Sequence, residues 1–504
     1  MWKRCEEKYA ALPAVRWLVK KDVKERSYGE LAADVKAIRK GFVAQDFSHK
    51  HIVLIGTSSV EWITAYMGVV TSNNTAVPLD SALPAPDLID LINRSDSEGV
   101  FLSNVFVSLA EKIQANCPNV RKIWMLTGDA VEGTETVADL MAAGKDCAEP
   151  EQPEGDDISM IVYTSGTTGK SKGVMLTQSN LYCNIEAVLY DFDPGLIFMS
   201  VLPVHHAFCL SMDWLNGFWM GAVLCINDSL FHIIRNMSIY QPDVILMVPL
   251  MVETIYKRLK ALGADVPPEI LGKKVFGENM KYIMTGGAHL DPYYIDEFAK
   301  YGIEIYEGYG MSECSPVIST NKIGEGRPGS IGRPLSNVEI KFEDGEILVR
   351  GTSVMKGYYK MDKETSETLK DGWLHTGDKG YIDEDGYLFI NGRVKNLIIL
   401  SNGENISPEE IETKLSALND IIDEIVVTGE DNMLTARIYP EQTVAENMSK
   451  EEVKNALQAI LNDYNKNQPT YKQLSRLVIR ENPFLKNSSK KIIRNEVLRD
   501  EPGA

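Results

Sequence analysis

The chain reads as an α/β protein: a large N-terminal domain of layered parallel and mixed sheets and helices with a β-hairpin-rich subdomain, then a small α+β C-terminal domain. Three observations predict this. Apolar strand-like runs alternate with helix-like stretches through the first half of the chain; after about Ser330 the pattern changes to short alternating runs broken by acidic glycine turns; and beyond Arg393 a charged, glycine-bearing stretch leads into a well-marked helix start.

Taken in order, "HIVLIGT" from His51 has the continuous apolar character of a buried strand, "SSVEWITAYMGVVTS" that of a helix, and "TAVPLD" from Thr75 that of a second strand. The alternation returns with "DVILMVP", the helix-like "LMVETIYKRLKAL" and the strand-like "KYIMTGG", and such strand–helix alternation builds parallel sheets covered by helices. Further on, "VEIKF" and "EILVRG", set off by "EDGE" and "DEDG", read as antiparallel hairpins. The predicted boundary divides the chain into 1–394 and 395–504. Past it, Ser407-Pro408-Glu409-Glu410 offers a Ser N-cap, Pro at the first helical position and Glu at the third, a capping-box pattern. Roughly one hundred residues then remain, enough for a small domain. No internal repeat or low-complexity linker interrupts the chain.

At 504 residues the chain is too long for one core, and 44% hydrophobic with 24% charged residues is an ordinary globular composition. A formal net charge of -19 argues against a nucleic-acid or anionic-membrane surface. The longest apolar runs, such as 244–252, fall short of the roughly 20 residues of a spanning helix, and the start "MWKRCEEKYAALPAV" lacks the apolar centre of a secretory signal. Seven cysteines without a CxxC pair fit reduced thiols and a cytoplasmic protein.

The densest chemistry lies in "YTSGTTGKSKG", residues 163–173. Inward-turned backbone N–H groups, hydroxyl donors and lysine charge are the groups that bind phosphate. The common phosphate loop of nucleoside triphosphatases needs a glycine five residues before the Gly-Lys-Ser/Thr triplet; Gly169-Lys170-Ser171 is present, but Thr164 stands at that place. The loop follows the strand-like 158–162 and returns through 174–176 to the helix-like 181–190, a setting suited to phosphate. Five further stretches are notable: "LPVHHAF", "MTGGAHL", "YEGYGMSE", "HTGD" with "NGRVKN", and "PFLKNSSKKIIR".

Together these six motifs, in this order, resemble the adenylate-forming (ANL) superfamily of acyl- and aryl-CoA synthetases, peptide-synthetase adenylation domains and firefly luciferase. The resemblance runs from "AVPLD" to "KKIIR", and its last motifs look most like bacterial long-chain fatty-acid–CoA ligases. By this resemblance Thr164, Ser165, Gly166, Thr167, Thr168, Gly169, Lys170 and Lys172 gather the β- and γ-phosphates of ATP. Gly286, Gly287 and Ala288, with Glu307, Gly308, Tyr309 and Ser312, form the adenine and acyl wall, and Glu313 binds Mg²⁺ through a hard carboxylate oxygen. Asp378 accepts from the ribose hydroxyls and Arg393 closes that site. His375 and Lys490 depart from the family pattern, which has Tyr or Arg at the first place and Gly at the second. His206 sits at the carboxylate, and Lys491 stabilises the charge that builds on the five-coordinate α-phosphate. The C-terminal domain is expected to be mobile: it pivots near Lys395 and presents the loop around Gly403 to a thiol.

The resemblance therefore implies activation of a carboxylic acid, medium- or long-chain, by ATP with Mg²⁺, pyrophosphate release, and transfer to CoA. Amino-acid-activating relatives carry an Asp near the carboxylate site; "HAFCLSM" has no acid before Asp213, which favours an acid without an α-amino group. Two alternatives stay open: an enzyme loading an acyl carrier protein, and a nucleotide binder without turnover. Chain length, pathway, peripheral membrane contact and oligomeric state are not legible in the sequence.

Overall fold

The computed structural model describes residues 2–164, 171–188, 190, 192–262, 266–399, 405–417, 419–430, 433–486 and 492–499. Two large sheets organise the N-terminal part. In spatial order the first runs Gly357–Tyr358, Lys172–Thr177, Ile158–Thr164, Thr75–Leu79, His51–Ile55, Gly99–Leu102, Lys122–Met125 and Glu135–Thr136. Its strands from Ile158–Thr164 through Glu135–Thr136 pair in parallel, and Lys172–Thr177 turns back antiparallel at the edge. The expected strands at His51 and Thr75 are neighbours, joined by the helix Val60–Val70, whose N-cap Ser59 Oγ accepts from the Trp62 N–H at 3.1 Å.

The second sheet has nine strands, ordered Arg333–Pro334, Val317–Thr320, Glu304–Gly310, Tyr282–Thr285, Val244–Met247, Ile197–Ser200, Val223–Ile226, Pro13–Val19 and Asp22–Ser27. The five from Glu304–Gly310 to Val223–Ile226 are parallel, and an antiparallel pair closes one end while the N-terminal hairpin closes the other. Buried side chains of the sheets and of the helices packed on them, among them Trp62, Tyr66, Phe101, Trp124, Trp214 and Phe218, belong to one continuous core. Burial of this apolar surface is the main force holding the layers together.

The expected hairpins form a five-stranded antiparallel sheet: Val338–Glu343 pairs Glu346–Gly351, which pairs Trp373–Ile382, flanked by Leu369–Lys370 and Leu388–Arg393. Beyond Lys395, the strands Ile422–Glu430, Met433–Pro440 and Leu474–Ile479 pack with the helices Pro408–Ala417 and Lys450–Lys466 around a core of their own, centred on Ile411, Leu415, Val427, Ile438 and Leu457. The helix opening at Pro408 departs from the capping-box pattern in its side chains: Ser407 Oγ donates to Glu409 at 3.2 Å, while Glu410 is held by Lys414 at 2.8 Å and Lys472 at 3.0 Å. Two cations draw the Glu410 carboxylate away from the cap. All seven cysteines are free thiols, and among the described residues no helix is long and apolar enough to cross a membrane.

Candidate active site

The two described ends of the stretch 163–173 lie on paired strands. Tyr163 pairs with Gly173 and Thr164 with Lys172, so the chain enters and leaves the loop along adjacent antiparallel strands. Gly173 is required there: a Cβ would come within 2.9 Å of Ile161 Cγ2 and 3.2 Å of the Tyr163 ring. Thr164 and Lys172 are placed at the stem, whereas Ser165, Gly166, Thr167, Thr168, Gly169 and Lys170 lie outside the described residues. Arg94 donates to the Ser171 carbonyl at 2.6 Å and so pins one side of the loop.

Lys172 points its ammonium over the Tyr358 ring, 4.6 Å from the centroid. The Tyr358 hydroxyl in turn donates to Glu313 at 2.8 Å, so this carboxylate, only 8% exposed, stands close to the loop stem. Glu313 lies in the short turn Ser312–Cys314, and that turn is fixed from behind by Asn184 of the helix Gln178–Ala187. The fully buried Asn184 amide donates to the carbonyls of Val317 at 2.7 Å and Cys314 at 3.2 Å and to Ser353 Oγ at 3.1 Å, and accepts the Val317 N–H at 3.2 Å.

Asp378 and Arg393 are brought together as an ion pair, Arg393 Nε to Asp378 Oδ1 at 3.0 Å. The other oxygen accepts the Tyr309 hydroxyl at 2.7 Å; burial first, and the Asp378 charge second, push that phenol well above its ordinary range. His375 does not touch this group: its Nδ1 meets Glu346 at 3.1 Å, and the second Glu346 oxygen accepts the Gly377 N–H at 2.9 Å. The departure at the first position of "HTGD" is thus taken up by a carboxylate of the neighbouring strand. Directly before Arg393, Gly392 has φ +134°, and a Cβ there would strike Ser407 Oγ at 2.2 Å, so the chain leaves the hairpin sheet where only glycine fits. Lys395 follows, exposed, in the turn Val394–Asn396, with Asn396 bonded to Glu409 at 2.5 Å.

Behind these groups runs an apolar pocket with a cavity volume of about 90 Å³. Its mouth carries His206, Gly287, Gly308, Tyr309 and Ser312; its walls include Phe192, Phe198, Met212, Val244, Leu246 and Met284. Gly287, at φ +82°, has nothing within 4 Å of where a Cβ would stand, leaving that wall bare, and a Cβ on Gly286 would meet the Gly308 carbonyl at 2.9 Å. His206 Nδ1 accepts the Phe208 N–H at 3.2 Å, which fixes the ring at the rim. His205 turns away to Asp80 at 3.7 Å, and its burial lowers its pKa.

Gly286, Ala288 and Glu307 stand outside the pocket lining, although the sequence groups them with its wall. Strand alternation is the reason for Glu307: Tyr306 and Gly308 face the pocket, so the residue between them faces the other side of the sheet. There Glu307 is 4% exposed, burial pushes its carboxyl up to about 8, and Oε2 has no partner. The flanks of Lys491 are described although Lys491, Lys490 and Gly403 themselves lie outside the described residues: Arg494 pairs with Glu412 and Lys486 with Glu424.

Sequence reasoning missed Asn184 and Tyr358, which reach the Glu313 turn from distant segments without a local motif. It also missed that Asp213 lines the pocket. The segment Cys209–Leu215 winds as a π-helical turn, and the wider winding shifts which side chains face inward relative to an α-helix.

A pocket with mostly apolar walls whose lining includes Tyr309 and Ser312, next in sequence to the buried Glu313, is the concave kind of site in which enzymes hold small molecules. The chain belongs to the AMP-binding enzyme family, whose sequence profile matches residues 2–359, with the family's C-terminal domain matching residues 395–500. It is 29% identical over 451 residues to the peroxisomal long chain acyl-CoA synthetase 7 of Arabidopsis thaliana, a match covering 77% of this chain and 64% of that protein. It is 26% identical over 576 residues to the chloroplastic long-chain-fatty-acid–[acyl-carrier-protein] ligase AEE15 of the same plant, covering 92% of this chain and 78% of that protein. In fold it is similar to the anthranilate CoA ligase AuaEII, crystallised with anthranoyl-AMP: TM-score 0.83 at 19% identity, covering 99% of this chain and 96% of the other.

Proposed function

We propose that the protein activates a medium- or long-chain carboxylic acid with ATP, forming acyl-AMP and pyrophosphate, and then transfers the acyl group to the thiol of CoA. The observation that carries this reading is the pocket itself: its mouth is made of the motif residues His206, Gly287, Tyr309 and Ser312, while its body is apolar. The pocket follows the strands inward from Gly287 to Val244. Val244 is level with Tyr282 in the sheet, and Thr285 at the other end of that strand also lines the pocket, so the strand-lined part alone runs about 10 Å at ~3.3 Å per residue. That depth suits an extended acyl chain.

In this reading ATP lies across the mouth. Thr164 and Lys172, with 165–170 between them, hold the β- and γ-phosphates, a task of positioning and charge neutralisation. Asp378 exchanges its bonds to Arg393 and Tyr309 for the ribose hydroxyls, and the purine lies along Gly287. Glu313 suits Mg²⁺, which takes one or two protein carboxylates and completes its shell with phosphate and water; when bound it would offset phosphate charge. His206 orients the substrate carboxylate, whose oxygen attacks the α-phosphorus as pyrophosphate leaves. Lys491 supplies charge to that transition state. The C-terminal domain then turns about Lys395 and brings the loop of Gly403 to the site, where a thiolate attacks the acyl carbon and AMP departs.

The relative that loads an acyl carrier protein keeps one second reading open: the same adenylation, with a carrier's phosphopantetheine thiol as acceptor. The test is acid-dependent exchange of pyrophosphate into ATP across short to long aliphatic, aryl and amino acids, followed by AMP release with CoA or with holo-carrier protein. Exchange with aliphatic acids and release with CoA are expected. Exchange with none refutes the reading, and release with the carrier alone reassigns the acceptor.

A further inference from the structure

One feature of the pocket is out of keeping with a plain hydrocarbon chain. Asp213 lines it, 1% exposed, among Phe198, Phe208, Met212 and Leu246. Its Oδ2 accepts Ser200 Oγ at 2.9 Å and the Cys209 thiol at 3.6 Å; among the described residues no hydrogen bond goes to Oδ1. A buried carboxyl oxygen is costly to leave without a partner. An acid whose chain is all carbon would leave it so in every turnover.

The depth of this group is fixed by the sheet. Ser200 ends its strand one residue beyond Met199, which is level with Ile245, and Ile245 is level with Ile283. Ser200 therefore stands near the level of Leu246 and Met284, inward of Gly287, with the deeper wall of Phe198 and Val244 two strand residues, about 7 Å at ~3.3 Å per residue, further on. Asp213 meets the acyl chain along its length, neither at the reacting carboxylate nor at the far end.

We propose that the pocket selects an acid carrying a hydroxyl group part-way along its chain, with Asp213 Oδ1 as the hydroxyl's partner. A hydroxyl suits this site better than an ammonium. Burial pushes the Asp213 carboxyl from 3.8 up to about 7, so both its charged and neutral forms occur near neutral pH, and a hydroxyl can donate to the first and accept from the second. An ammonium needs the charged form and would itself have to leave water for apolar walls. Asp213 is a specificity residue in this assignment; it touches no reacting atom.

The inference rests on the adenylation reading and is tested by pyrophosphate exchange with the full chain. The substrates are straight-chain acids of one length bearing a single hydroxyl moved carbon by carbon, the unsubstituted parent, and the amine matching each hydroxyl. One internal hydroxyl position is expected to exceed the parent in kcat/KM by about tenfold or more, the net worth of a single added hydrogen bond. Asp213→Leu should abolish that preference and turn over the parent better than the hydroxylated acid, while Asp213→Asn, of the same shape, should keep part of it. Exchange fastest with the parent, with the same order in Asp213→Leu, overturns the inference and leaves the adenylation reading standing. Preference for an amine overturns the hydroxyl assignment, and exchange with no acid overturns both. Should Asp213→Leu fail to fold, the wild-type series decides.

Discussion

Replacing Asn184 with alanine separates a structural anchor from a mere neighbour of the site. Asn184 does not line the pocket, yet its amide holds both ends of the segment carrying Glu313. Alanine strands the buried Val317 N–H and removes a donor from two carbonyls and one hydroxyl. An orphaned buried donor costs about 1–3 kcal/mol and each lesser loss about 1 kcal/mol or under, so about 3 kcal/mol is expected. A shift of about 1 Å in catalytic geometry costs on the order of 100-fold in rate, so exchange should fall by roughly that factor with the substrate KM values little changed. Thermal unfolding and Mg²⁺-dependent pyrophosphate exchange measure the two effects. A variant with the parent's Tm, or one that loses stability yet keeps its exchange rate and Mg²⁺ dependence, would refute the idea that Asn184 positions the Glu313 turn.

Three further outcomes are expected. Tyr358→Phe removes the hydroxyl that orients Glu313 and should raise the Mg²⁺ concentration for half-maximal exchange about tenfold, the usual effect of an outer partner; an unchanged Mg²⁺ titration would separate Glu313 from the metal. Glu307, with a carboxyl raised from 4.5 to about 8 in the folded protein, binds its proton more tightly folded than unfolded. Its contribution to stability is therefore present below about 4.5, lost as pH rises through about 8, and constant above. Glu307→Gln should gain Tm relative to the parent progressively across that window, and a difference flat with pH would contradict it. Lys491→Ala should lose acid-dependent exchange by roughly 100-fold or more while retaining much of its thioester formation from supplied acyl-adenylate; equal loss of both would contradict a lysine used in one half-reaction only.

The sequence exposed those parts of the fold whose cause is local. The strands at His51, Thr75, Val244 and Tyr282 lie where continuous apolar runs place them, and the acidic turns after Ser330 do separate antiparallel strands. The N-terminal hairpin could not be placed this way: Val15 pairs with Leu224, and nothing near either residue marks the other. The same limit applies at the site. Asp378, Arg393 and Tyr309 announce themselves by motif and do meet, but Tyr358 reaches Glu313 only because Gly357–Tyr358 adds to the edge of Lys172–Thr177. Asp213 was visible as an acid, and its place in the pocket was not, because a π-helical turn has no reliable local signature and a helix reading would aim it elsewhere. Glu307 shows the converse: a motif groups it with its neighbours, and the two-residue period of the strand sends it to the opposite face.

The most direct test of the account is to incubate the purified protein with Mg²⁺, ATP and a broad set of carboxylic acids, without any thiol, and to look for acyl-AMP by mass spectrometry. The account predicts a mixed anhydride of AMP with an aliphatic acid, accumulating with an equivalent of pyrophosphate. Hydrolysis of ATP without acyl-AMP, or no consumption of ATP with any acid, would contradict it.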